Sequence, residues 1–170
     1  MSGCIHSSTA TNLIAPDGSR MTESALWATV RDALSPFGIL HRVENSCPPT
    51  GMPDVFYSLR HPRTGAVGTG WIELKHIAAW PARTETRVHI PSLTIDQVRW
   101  QEEWSAAGVR VTMILRTPSG FHMLPAGPLW RALLAENGVI RDDLFSIISG
   151  VATVGLGRFP KGAILSCLTS

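Results

Sequence analysis

Apolar positions recur along this chain with two different periods, and the switches between them mark out its elements. Over residues 22–35, Leu26, Val30, Ala33 and Leu34 fall on one stripe at helical spacing. Thr22 stands where an N-cap is needed, and Pro36 and Gly38 end the run. Residues 39–43 predict a short strand, and residues 45–51, with two prolines, a loop. Residues 54–60 alternate, with Val55, Tyr57 and Leu59 on one face and Phe56 and Ser58 on the other. The turn formers of residues 61–68 separate this run from a strand over residues 70–76. There, period two places Trp71, Glu73 and Lys75 on one face and Ile72 and Leu74 on the opposite one.

Residues 77–91 lack a regular pattern and read as a long exposed loop carrying Arg83, Arg87 and His89. A loop of that length is uncommon without a role. Residues 94–107 predict a second helix, opened by the capping-box pattern Thr94-Ile95-Asp96-Gln97 and stopped by Gly108. Gln97, Trp100, Gln101 and Trp104 share one of its faces. Strands follow at 109–116 and 121–124, joined by a turn at 118–120. A third helix is predicted over 128–137, capped by Gly138, and a short fourth over 142–149. The glycine-containing tail from residue 151 receives no element, and residues 1–20, rich in Ser, Thr, Gly and Ala, read as a flexible arm. Helices interleaved with strands in this order predict an α/β fold with a mixed sheet. The expected organisation is one domain over residues 21–170, with a core of about 22–125 and a helical and strand extension over 126–170.

Composition fits that picture. A chain of 170 residues, 44% hydrophobic and 16% charged, can bury a sizeable core and is no disordered tail. The formal charge of +2 announces no gross nucleic-acid binder, so any basic footprint has to be local. Cys4, Cys47 and Cys167 are scattered, which gives neither a disulfide framework nor zinc spacing and suits a reducing compartment. There is no secretory leader pattern and no run approaching the ~18 apolar residues of a membrane span. A cytoplasmic protein with no membrane partner is the expectation.

The chemistry-bearing pattern is Gly51-Met52-Pro53-Asp54 followed by Glu73-Leu74-Lys75. If the two runs pair as a hairpin, Asp54, Glu73 and Lys75 meet at one end of a sheet. Asp54 and Glu73 are suitable hard ligands for a divalent cation, and the Leu74 carbonyl could add a third oxygen. Lys75 shares the face of Glu73 and could orient water or neutralise a phosphate. The plain alternative is an exposed Glu73–Lys75 pair beside an ordinary Pro53-Asp54 turn. The bulky neighbours Trp71, Ile72 and Leu74 weigh against it, because unpaired charge among apolar groups is costly. Gln97 is either a cap or a member of the site. Glu23, in the first turn of the first helix, is either a partner of the helix dipole or an outer member of the site. His76 faces away from Lys75 and reads as structural.

Together, Gly51-Met52-Pro53-Asp54, Trp71-Ile72-Glu73-Leu74-Lys75 and Leu93-Thr94-Ile95-Asp96-Gln97 resemble the PD-(D/E)XK nuclease superfamily. They look closest to the VRR-NUC and Holliday junction resolvase-like nucleases of phage and bacteria. The resemblance covers about residues 22–125. It implies a restriction-endonuclease-like core, a mixed central sheet flanked by helices. It implies a Mg²⁺-dependent endonuclease, with Mn²⁺ as a substitute, that cuts DNA, including branched or junction DNA, in repair or recombination. Carried over, Asp54 and Glu73 with the Leu74 carbonyl would hold the metal. Lys75 would position water, and Gln97 and Glu23 would be auxiliary. Arg83, Arg87, His89 and Arg99 are the candidates for DNA phosphate contacts, each equally readable as a solvated charge. A homodimer fits the resemblance, with residues 144–156 either its interface or part of the monomer's core. The competing function is a non-catalytic nucleic-acid-binding or assembly module that keeps the fold.

Overall fold

In the computed structural model of the chain, residues 22–43, 50–134, 138–144, 153–154 and 159–170 are described. The arm at 1–20, most of the 45–51 loop and most of the 142–149 segment lie outside them. Eight strands are found among these residues: β1 (Gly38–Arg42), β2 (Val55–Arg60), β3 (Val67–His76), β4 (Arg87–Val88), β5 (Arg110–Thr117), β6 (Gly120–Pro125), β7 (Val139–Ile140) and β8 (Thr153–Val154). The helices are α1 (Glu23–Leu34), α2 (Ile95–Ala106), α3 (Pro128–Ala132) and α4 (Lys161–Thr169).

Six strands form one mixed sheet in the order β1-β2-β3-β5-β6-β8, while β4 and β7 make a separate ribbon. β1, β2 and β3 run as an antiparallel meander. α2 then carries the chain across, so β5 lies parallel to β3, with Glu73 opposite Met113 and Lys75 opposite Leu115. A tight turn returns β6 antiparallel to β5. The fold is therefore α/β, a mixed central sheet flanked by helices.

Strand alternation divides the core between two faces. Val55, Tyr57, Leu59, Ile72, Leu74 and Ile114 pack on one side against Leu26, Val30 and Leu34 of α1 and Ile164, Leu165 and Leu168 of α4. Val111, Met113 and Leu115 pack on the other against Val98 and Trp100 of α2 and Trp130 of α3. Full burial of each such side chain stabilises by roughly 1.5–3 kcal/mol. α1 begins as expected, with Thr22 Oγ1 accepting a hydrogen bond from the Ala25 N–H at 3.1 Å.

Several elements depart from the expectation. β3 begins three residues early, because Val67, Gly68 and Thr69 extend the ladder with β2 despite their loop-like composition. Gly68 has a specific use there, since a Cβ would lie 1.7 Å from the Leu168 carbonyl oxygen of α4. The 77–91 segment is not wholly exposed: Ile77, Val88 and Ile90 are buried, and Arg87 and Val88 pair with β7. α3 ends at Ala132, where the Leu133 carbonyl accepts from the Ile90 N–H at 2.9 Å, and residues 135–137 of the expected helix lie outside the described residues. Residues 141–144 are helical. The tail contains α4, whose apolar positions Ile164, Leu165 and Leu168 have helical spacing but no side-chain cap to announce them. β5 is buried on both faces from Val111 to Leu115, as suits a strand flanked by two others and covered by helices.

Candidate active site

Asp54 sits one residue before β2. The Val43 N–H donates to its carbonyl at 2.8 Å, which extends the β1–β2 pairing by one step. β2 and β3 stop pairing at Val55 and Ile72. Beyond Ile72 the Asp54 carboxylate takes the place of a strand, with Oδ2 accepting from the Leu74 N–H at 2.8 Å. A residue's N–H and C=O point to the same edge of a strand, so the Leu74 carbonyl also faces the Asp54 side.

Gly51 makes this placement possible. Its φ is +83°, and a Cβ there would stand 2.2 Å from the Asp96 carbonyl oxygen at the start of α2. The loop therefore lies directly against the first turn of α2, bringing Asp54 to the same sheet end as Gln97. Gly51→Ala is expected to destabilise the fold by about 1–3 kcal/mol through backbone strain and displacement. Urea unfolding would measure it, and an unchanged midpoint would contradict this role for Gly51.

Glu73 and Lys75 project from the α2 side of β3, as strand alternation requires. Glu73 is 0% exposed and Lys75 3%. The Lys75 ammonium lies 2.7 Å from Glu73 Oε1. Gln97 Nε2 donates to that same oxygen at 2.7 Å. The Gln97 amide oxygen meanwhile accepts from the Thr94 N–H at 3.0 Å, and Thr94 Oγ1 accepts from the Gln97 N–H at 3.2 Å. Gln97 thus closes the cap of α2 with its amide oxygen and bonds Glu73 with its amide nitrogen. Glu23 behaves similarly. It stands in the first turn of α1, with Oε1 3.7 Å from the Lys75 ammonium and accepting from Ser92 Oγ at 3.1 Å. Ser92 was not foreseen, since nothing in its loop marks it beyond lying two residues before a helix cap.

Electrostatically the cluster is poised rather than satisfied. Burial first, and Asp54 second, push the Glu73 carboxyl up to about 8 against the pull of Lys75. Its Oε2 is buried and has no hydrogen-bond partner. Burial also raises Asp54, outweighing the Leu74 N–H and the Lys75 charge. Burial pulls Lys75 down, but Glu73 and then Glu23 override it and hold the ammonium above its ordinary value. His76 is held below its ordinary value by burial.

The five residues Asp54, Glu73, Lys75, Gln97 and Glu23 therefore converge on one sheet end. The four basic candidates do not enter this bonded cluster. Arg83, Arg87 and His89 are exposed on the segment before α2, and Arg99 is exposed on α2. Arg87 donates to the Gly138 carbonyl at 3.0 Å, tying the β4–β7 ribbon together. A cavity of about 470 Å³ opens at the opposite end of the sheet, beside Arg110 and Cys167, and contains none of these residues.

Among the described residues, no group of three or more His, Cys, Asp or Glu side chains is arranged to hold a metal ion. The buried Glu73 and half-buried Asp54 carboxylates do fit one when a backbone carbonyl and water complete the oxygen set. The unpartnered Glu73 Oε2 is the kind of orphaned acceptor that a cation satisfies. No helix among the described residues is long and apolar enough to cross a membrane.

No protein family profile matches the chain, and no curated protein does. A solved structure of Hjc from Archaeoglobus fulgidus, a Holliday junction resolvase from an archaeal hyperthermophile, aligns over 61% of this chain and 74% of its own, with a TM-score of 0.36 and 19% identity. A likeness that loose carries no argument about activity, substrate or metal.

Proposed function

We propose that the chain is a divalent-metal-dependent endonuclease that hydrolyses DNA phosphodiester bonds at the Asp54–Glu73–Lys75 cluster. The observation that carries this reading is the buried Glu73 carboxylate. It is bonded through one oxygen to Lys75 and Gln97, its other oxygen is buried without a hydrogen-bond partner, and Asp54 is near enough to raise it electrostatically. A fully buried acid with an unsatisfied oxygen costs stability, and a cation-dependent task explains its retention. The order α1 with Glu23, β2 preceded by Asp54, β3 with Glu73 and Lys75, α2 with Gln97 and then β5 also follows what the resemblance to PD-(D/E)XK nucleases implies.

Asp54, Glu73 and the Leu74 carbonyl would hold the metal. Mg²⁺ is the proposed ion and Mn²⁺ its substitute. When bound, it supplies charge stabilisation at the phosphoryl oxygens and acidifies water. Glu73, whose carboxyl burial pushes up to about 8, would have to be ionised to serve as a ligand. Lys75, clamped between Glu73 and Glu23, keeps a fixed positive charge where the phosphate enters and orients the attacking water. Gln97 holds Glu73 in one rotamer, because its own amide is fixed at the other end by the Thr94 backbone. Water oxygen forms the new bond to phosphorus and releases one proton to solvent, the P–O ester bond breaks, and the departing oxygen takes a proton from solvent. Selectivity for branched DNA, phosphate contacts from Arg83, Arg87, His89 and Arg99, and a homodimeric assembly belong to the same proposal.

Incubation of plasmid, flap and four-way-junction DNA with Mg²⁺ or Mn²⁺ is the test. Cleavage by the wild type that is lost in Asp54→Ala and Glu73→Ala supports the assignment. Equal cleavage by those variants sinks the site. Tight binding without cleavage under any divalent metal replaces the enzyme with a binding module.

A further inference from the structure

The sheet face that carries Glu73 is covered by α2 and α3 over β5 and part of β3, and no described helix covers it over β1 and β2, where Ile39, His41 and Arg60 are exposed. Directly opposed residues of antiparallel strands share a face. His41 opposes Phe56, and Phe56 opposes Trp71, so these three lie on that open side. Four aromatic rings then run in contact from the sheet to the outside of α2. Phe56 meets Trp71 edge-on, with centroids 5.4 Å apart. Trp71 meets Trp100 edge-on at 5.7 Å, and Trp100 stacks on Trp104 at 4.5 Å with 10° between planes. Trp104 is 41% exposed, and Phe56 and Trp71 are partly exposed. The ladder starts beside the candidate site: Phe56 follows Asp54 by two residues and Trp71 precedes Glu73 by two, about 7 Å along each strand.

We propose that this ladder is a stacking platform for unpaired nucleotides that flank the scissile phosphate, so that the substrate is single-stranded or locally unpaired DNA. The inference rests on the nuclease reading and adds the substrate's state to it. Duplex DNA keeps its base faces closed, whereas unpaired bases present faces that stack on aromatic side chains. The charge on this face agrees. β1, β2 and β3 carry no acidic residue other than Glu73, while His41 and Arg60 are exposed on the open side. Arg60 also donates to the Gly65 carbonyl at 3.2 Å. A backbone threading past Arg60 toward the Asp54–Glu73 end meets a permanent positive charge and no carboxylate from β1 or β2. A second copy of the chain docked through the same face would offer no carboxylate from β1 or β2 to pair with Arg60.

The test is metal-free, so it does not depend on cleavage. Full-length protein in EDTA is titrated with oligothymidylate and with a blunt duplex of equal length, reading tryptophan quenching and the anisotropy of labelled DNA. Single strand is expected to bind more tightly than duplex and to quench tryptophan. Phe56→Leu and Trp104→Leu, which keep apolar volume and remove the ring, are each expected to weaken single-strand binding by roughly five- to a hundredfold. Equal affinity for the two DNAs, or unchanged binding by both variants, overturns the platform. So does a change of oligomeric state in Phe56→Leu with no change in single-strand affinity, which would assign the face to self-association. Cleavage measured separately distinguishes the two proposals: a platform that binds while no metal elicits cutting sinks the nuclease reading alone. Cutting by a protein whose single-strand binding ignores Phe56 and Trp104 sinks the platform alone.

Discussion

Asp54→Asn is expected to abolish cleavage, by about a thousandfold or more in the single-turnover rate, while leaving the fold intact. The Asn amide oxygen can still accept from the Leu74 N–H, as Asp54 Oδ2 does at 2.8 Å. What disappears is the negative charge, and with it a hard ligand for the cation. Removing one preorganised electrostatic contact from a site of this kind typically costs 10²–10³-fold, and losing a metal ligand removes the cation's whole contribution as well. The substitution also removes a charge that raises Glu73, so Glu73 should ionise more readily in the variant. Rates under Mg²⁺ and Mn²⁺ should be read alongside circular dichroism and a thermal melt. A folded Asp54→Asn protein that cuts at the wild-type rate would remove Asp54 from the chemistry.

The second large effect is on stability and its pH dependence in the metal-free protein. Glu73 rises from 4.5 to about 8 in the folded state, chiefly through burial. The folded protein therefore holds that proton more tightly than the unfolded chain does. The stabilisation is fully present below about 4.5 and is lost as pH climbs through about 8. His76 and His122 are both held below the ordinary 6.5 by burial, so they act in the opposite sense in acid. The window from about 6.5 to 8 isolates Glu73 from them. Unfolding free energy in EDTA should fall there by up to about 1.4 kcal/mol per pH unit, the limit for one proton. Glu73→Gln should flatten the slope. Excess Mg²⁺ should stabilise the wild type increasingly toward pH 8, because metal and proton compete for one carboxylate. A wild type whose stability is level across the window, or a Glu73→Gln variant with the same slope, would mean that Glu73 is ionised throughout.

The sequence made the site more legible than its surroundings, for physical reasons. Glu73 and Lys75 share a face by strand period alone, and Thr94 and Gln97 form a cap by spacing alone. These are local rules, and the geometry follows them at 2.7 Å and 3.0–3.2 Å. The bond from Gln97 to Glu73 joins residues 24 apart and depends on the α2 crossover, which no local pattern encodes. Gly51 was visible as a motif residue, but its reason, close approach to Asp96, is tertiary. The β4–β7 ribbon has only two residues per strand, too few for a period to register. α4 falls in the glycine-containing tail that received no element of its own, although its apolar residues pack against α1 and the sheet. The exposed candidates Arg83, His89 and Arg99 illustrate the limit in the other direction, since a charge on a surface segment carries no geometry of its own.

The most direct test of the central claim is the anomalous scattering of crystals soaked in Mn²⁺. The account predicts one strong peak in contact with the Asp54 carboxylate and with Glu73 Oε2, on the side of the sheet end faced by the Leu74 carbonyl. No peak at that end, with the Lys75–Glu73 pair unchanged and the two carboxylates turned apart in saturating Mn²⁺, would contradict it.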